Sequence, residues 1–67
     1  MTPRIPSASQ RWSMADTQVR GLFPPTVAHR WWITPNAELD WRCPIQVWEE
    51  GRPGEVEGLL RAYRRAA

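Results

Sequence analysis

The chain has no lysine, and only one cysteine, one histidine, one phenylalanine and one tyrosine among its 67 residues. Each shortage excludes something. A lone Cys43 cannot close an intramolecular disulfide, which removes the disulfide-stapled secreted mini-proteins. His29 and Cys43 together fall short of the four ligands of a structural zinc site, so neither a metal nor a cofactor is expected. No glycine-rich phosphate loop occurs. No apolar run approaches the length of a membrane span, and the opening "MTPRIPSASQRW" lacks the apolar stretch of a signal peptide. The expectation is a cytoplasmic protein without membrane contact. All nine basic residues are arginine, a usage that fits a GC-rich coding sequence.

What the chain does have is tryptophan, five in all. A protein of this size is one domain, and it buries only about 60% of the surface its unfolded chain exposes. Five indoles at roughly 200 Å² each are the bulk with which so short a chain closes a core. Charge is segregated: residues 1–37 carry +3, residues 38–58 carry −4 and residues 59–67 carry +3.

Proline, glycine and apolar spacing predict an all-α domain of four short helices. Residues 1–6 form a mobile arm, followed by a single domain over 7–67. Ala8, Trp12, Ala15, Val19 and Leu22 recur every three or four residues, predicting a helix over 9–20 with Ser7 or Ser9 as cap and Gly21 as stop. Leu22 through Pro25 is expected to be extended, because residues before proline are pushed out of the helical region. Thr26 is then placed to cap a helix over 26–33 with Val27, Ala28, Trp31 and Trp32 as its apolar members, ended by Pro35. A loop runs on to Arg42, and read for packing its buried anchors are Leu39 and Trp41. Pro44 suits the first position of a third helix, 44–50, with Ile45 and Trp48 facing the core and Gly51 as terminator. Pro53 opens the fourth, 53–65, where Val56, Leu59, Leu60 and Tyr63 mark one face. Its acids fall in the first turn and its arginines in the last, matching the helix dipole, and Glu57 and Arg61 have the spacing of an i, i+4 pair. Interior Gly58 either admits a close-approaching backbone or marks a weak helix.

Candidate chemistry is sparse. His29 stands beside Arg30, whose charge disfavours imidazolium; a surface helix position is the plainer reading than a general base. Cys43 precedes Pro44, where a thiolate would benefit from a helix start, yet no histidine neighbours it; packing or a poor cap is the plainer role. Glu49 and Glu50 are consecutive and point to different sides of a helix. The sequence therefore argues against an enzyme. Arginine and tryptophan alternate at Arg11-Trp12, Arg30-Trp31-Trp32 and Trp41-Arg42, a pattern that serves base stacking and equally serves protein interfaces.

From Ala28 to Arg64 the order of residues resembles the toxin-binding domain of the Xre/MbcA/ParS-type bacterial antitoxins. The resemblance rests on the helix ending in Trp31-Trp32, the turn Thr34-Pro35-Asn36 with Leu39 three residues on, the helix opened by Pro44 with Ile45 and Trp48, the stop at Gly51, and the last helix with Val56, Leu59 and Leu60. Trp32 stands where leucine is usual, and Cys43 where a capping threonine is usual. Only residues 1–27 precede the match, so the resemblance implies the toxin-binding unit without its helix-turn-helix domain. The family's C-terminal tail, which reaches toward the NAD-binding cleft of RES-type toxins, is shortened here to Arg64-Arg65-Ala66-Ala67. The function implied is docking on, and neutralising, a protein partner such as a RES-type or other toxin, by occlusion. Expected contacts are an exposed Trp41 with Arg61, Arg64 and Arg65; Trp12 belongs either to them or to the core, and Trp31, Trp48, Leu59 and Leu60 are chiefly core. Two other readings remain open: a nucleic-acid-associated regulator using the Arg-Trp pairs, and a phage or mobile-element inhibitor of a host protein.

Overall fold

Proline sets the punctuation of the structure. The computed structural model describes residues 8–66, and within them four helices follow in order: α1 Ala8–Leu22, α2 Pro25–Trp31, α3 Pro44–Glu49 and α4 Pro53–Ala66. A single 3₁₀ turn, η1, covers Ala37–Leu39. Each of α2, α3 and α4 has proline as its first residue, where the missing N–H leaves no unsatisfied donor. The all-α class is as expected; the expected arm over residues 1–6 and a cap from Ser7 lie outside the described residues.

Several boundaries differ for local reasons. The helix α1 continues through Gly21 to Leu22 and its last turn is closed by Phe23 N–H donating to the Val19 carbonyl (3.1 Å). Its stop is therefore Pro24, and Gly21 is an ordinary helical residue. The start of α2 is Pro25, with extended Pro24 before it, so Thr26 lies inside the helix and caps nothing. That helix also ends two residues early, at Trp31, as Ile33 N–H and Thr34 N–H turn back to the Arg30 and Trp31 carbonyls. Thr34 Oγ1 donates to the Arg30 carbonyl at 2.7 Å and competes there with continuation of the helix. Val27, expected on the apolar side, is exposed, because α2 is only two turns long and its buried face is Ala28 and Trp31.

The start of α3 is capped better than a cysteine suggests. Gln46 Oε1 accepts the Cys43 N–H at 3.0 Å, while the thiol donates to the Ile33 carbonyl at 3.3 Å. The end of α3 is the expected Gly51, left-handed at φ 85°, with Arg52 N–H reaching the Val47 carbonyl and Gly51 N–H the Trp48 carbonyl. This double closure is the Schellman arrangement, which a residue without Cβ adopts at no steric cost.

The helix α1 packs on α2 and α4, and α4 packs on α3. Ala15, Val19, Ala28, Trp31, Trp32, Leu39, Val47, Val56 and Leu60 form one buried cluster, with Trp12, Leu22, Phe23, Ile45, Trp48, Leu59 and Tyr63 packed around it. On α3 the fully buried side chains are Pro44 and Val47, with Ile45 and Trp48 half-buried at their flanks. Aromatic contacts run through every helix: Trp32 meets Trp12 at 5.4 Å, Trp31 at 5.2 Å and Trp48 at 5.7 Å, and Phe23 meets both Trp31 and Tyr63. The T-shaped pairs place ring edges against ring faces, the favourable quadrupole geometry.

Two expectations for α4 change on packing. Glu57 is held by Arg11 of α1, Nε to Oε2 at 2.8 Å and Nη2 to Oε1, rather than by Arg61. A planar fork from a neighbouring helix meets both carboxylate oxygens at once. At Gly58 no backbone approaches: an added Cβ would meet only Arg61 Nη2, at 3.7 Å.

We expect two consequences. The Arg11 hydrogen bonds hold the Glu57 carboxyl below its ordinary range, and the field of Arg11 and Arg61 adds to this. The pair's stabilisation is therefore complete above the ordinary glutamate pKa and is lost as pH falls through the lowered native value. Melting temperature followed from pH 7 into that acid range should fall less steeply for Glu57→Gln than for the parent chain. Separately, Gly58→Ala should raise stability by about 1 kcal/mol in urea unfolding, since it adds helix propensity without a clash.

Candidate functional site

Asn36 organises the segment between α2 and α3. Its backbone carbonyl accepts N–H groups from Leu39 and Trp41, both at 2.9 Å, and its own N–H donates to the Arg42 carbonyl at 3.1 Å. Its side-chain oxygen accepts the Glu38 N–H at 2.9 Å, and its amide nitrogen donates to the Tyr63 hydroxyl at 3.1 Å on α4. The chain reverses through two consecutive left-handed residues, Asp40 at φ 57° and Trp41 at φ 63°. Neither is glycine, and such residues persist only where the surroundings over-determine them. Leu39 points into the core, whereas Trp41 is 72% exposed. Of the two anchors expected for this loop, Leu39 is buried and Trp41 is not; the αL reversal that seats one turns the other outward. Arg42, next in the chain, is tied to Glu50 at 2.7 Å, which pins the loop to the end of α3.

The other expected contacts divide. Trp12 packs at a tilt against Trp32 as part of the shell around the core, and its indole N–H is buried with no acceptor among the described residues. Arg61, Arg64 and Arg65 are exposed on the last turns of α4 and line one shallow cleft of about 320 Å³. Trp31 is buried and Trp48 half-buried; Leu60 is fully buried and Leu59 half-buried at its edge. Pro35 is exposed, and it turns the chain into the Asn36 reversal.

A groove of about 590 Å³ lies between α1 and α2, walled by Trp12, Trp32 and Ile45 and rimmed by His29. Sequence reasoning did not find it, since Ile33, 65% exposed at its edge, reads as an ordinary helix residue. Its carboxylate, Asp16, is fully engaged: Oδ1 accepts the Trp32 indole N–H at 2.9 Å and Oδ2 meets Arg20 at 3.0 Å. His29 is exposed, and Glu50 is held by Arg42, separate from Glu49. Among the described residues no group of three or more His, Cys, Asp or Glu side chains could hold a metal ion, and no helix is long and apolar enough to cross a membrane. The bracing of the loop by Asn36 was partly foreshadowed in the chain, because asparagine two residues before a backbone donor is an Asx-turn signal; its bond to Tyr63 was not.

The left-handed turn generates a stability test. Trp41→Gly removes a side chain that is 72% exposed and places glycine where φ is positive, so its urea midpoint should stay close to the parent's. Trp41→Val, β-branched at the same φ, should fall about 1–2 kcal/mol below the glycine variant.

Comparison with known protein families, curated proteins and solved structures returns no match to this chain.

Proposed function

We propose that the chain is a small protein-binding module that docks on and occludes one protein partner, in the manner of an antitoxin's toxin-binding domain, and that it carries out no chemistry of its own. The observation that carries this reading is Trp41: an indole 72% exposed, on a left-handed turn held by the hydrogen bonds of Asn36. An aromatic side chain presented on a braced turn forfeits little freedom on binding, which is what an interface anchor needs. The exposed arginines of α4 supply a second element common at interfaces. If the partner is a RES-type or other toxin, as the sequence resemblance implies, occlusion would proceed by covering the toxin's surface.

The nucleic-acid reading has less to draw on. Trp31 and Trp32 are buried and Trp12 stacks in the core shell, so these three rings are not free to receive bases. Arg11 and Arg42 are each engaged by a carboxylate within the chain.

The test is capture from the native host lysate on the immobilised chain, identification of the retained protein, and titration with that protein purified. Trp41→Ala should keep its far-ultraviolet circular dichroism and bind at least about 30-fold more weakly, the equivalent of a 2 kcal/mol anchor. Equal affinity of the variant and parent, or retention that nuclease treatment abolishes, overturns the proposal.

A further inference from the structure

The described arginines fall into two sets. Arg11, Arg20, Arg42 and Arg52 each meet a carboxylate within 3.0 Å. Arg30, Arg61, Arg64 and Arg65 make no ion pair among the described residues. Three of these four are gathered on α4. At about 100° per residue, Arg61, Arg64 and Arg65 fall within a single arc of about 100°, over a rise of about 6 Å. Like charges at i, i+3 and i, i+4 oppose helix formation. The helix dipole favours Arg64 and Arg65, which lie in the last turn, but not Arg61, which precedes it. Tyr63, among them in sequence, is turned inward, its hydroxyl bonded to Asn36 and its ring against Phe23. Glu57, whose carboxylate also feels Arg61, is bonded to Arg11, and among the described residues no carboxylate pairs with the three guanidinium groups.

We propose that this face of α4 binds a run of carboxylates on a protein partner, an acidic polypeptide segment whose side chains pair with the three guanidinium groups. The inference rests on the binding function proposed above and names the chemistry of the partner's surface. Planar guanidinium forks match carboxylates two oxygens at a time. A nucleic acid fits less well: three cations over about one turn neutralise few phosphates, no aromatic ring beside them is exposed for stacking, and the net charge of +2 gives a weak attracting field. A lipid surface fits less well because Ala62 and Ala66, the neighbouring exposed side chains, offer little apolar bulk to insert.

The experiment follows the arginine Nε–Hε resonances of the labelled full chain during titration with a hexaglutamate peptide at low salt. Resonances of Arg61, Arg64 and Arg65 should shift in a saturable way, those of Arg11, Arg42 and Arg52 should not, and hexaglutamine should move none. The combined variant Arg61→Gln, Arg64→Gln, Arg65→Gln should remain helical, lose the peptide response and bind the captured partner at least tenfold more weakly. The proposal is overturned by the absence of shifts at millimolar peptide, or by shifts spread equally over all the arginines. It is also overturned if inorganic phosphate moves the three resonances as readily, or if a thymidine oligomer or anionic vesicles bind more tightly than the peptide. If the peptide response is absent while Trp41→Ala still weakens capture, the acidic-segment inference fails and the binding function stands. If the peptide responds while Trp41→Ala captures normally, the Trp41 anchor fails instead.

Discussion

The structure turns on one indole. Trp32 follows α2 as its C-cap, and its ring is met by Trp12 from α1, Trp31 from α2 and Trp48 from α3. Its N–H is satisfied by Asp16 of α1, and its carbonyl accepts the Ile45 N–H at the start of α3. A leucine there could fill volume but could not supply the hydrogen bond. Burying an indole without an acceptor costs a full desolvation penalty, and Asp16 removes that cost at the site where three helices converge. Arg20 completes the arrangement by neutralising the same carboxylate, so the half-buried acid is both paired and hydrogen-bonded.

Because the aromatic residues are committed to holding helices together, what they leave at the surface is informative. Of five tryptophans, three surround Trp32 and Trp41 alone is turned to solvent. The geometry that exposes it is the same geometry that buries Leu39: two left-handed residues reverse the chain, and Asn36 locks the reversal through four hydrogen bonds along the turn and a fifth to Tyr63. The surface proposed for binding is therefore coupled to the core through Tyr63, which also meets Phe23. A similar division applies to charge. Carboxylates from the middle of the chain tie Arg11, Arg42 and Arg52 down, and Arg61, Arg64 and Arg65 of α4 make no ion pair among the described residues. Function, on this view, resides in what the packing did not use.

Legibility followed the range of the interaction. Helix starts at Pro44 and Pro53 and the stop at Gly51 were readable, because proline fixes its own φ and glycine tolerates the left-handed region, both properties of one residue. The end of α1 was misread at Gly21 for the converse reason: glycine permits a stop without requiring one, and Pro24 three residues on decides it. Two-turn helices carry too few apolar positions for periodicity to be secure, hence Val27 assigned inward and Val47 overlooked in favour of Ile45 and Trp48. Glu57 was paired with its i+4 neighbour because no spacing rule brings residue 11 to residue 57.

Composition and local stereochemistry were thus enough to establish an all-helical chain closed by aromatic bulk and to mark Arg61, Arg64 and Arg65 as candidates for contact, while Trp41 stood between a buried anchor and an exposed contact. Which indole became the hub, which arginines were neutralised and which way the Asn36 turn faced were decided only when the helices packed. Those outcomes depend on contacts between residues distant in the chain, where each side chain's surroundings are set by elements other than its own.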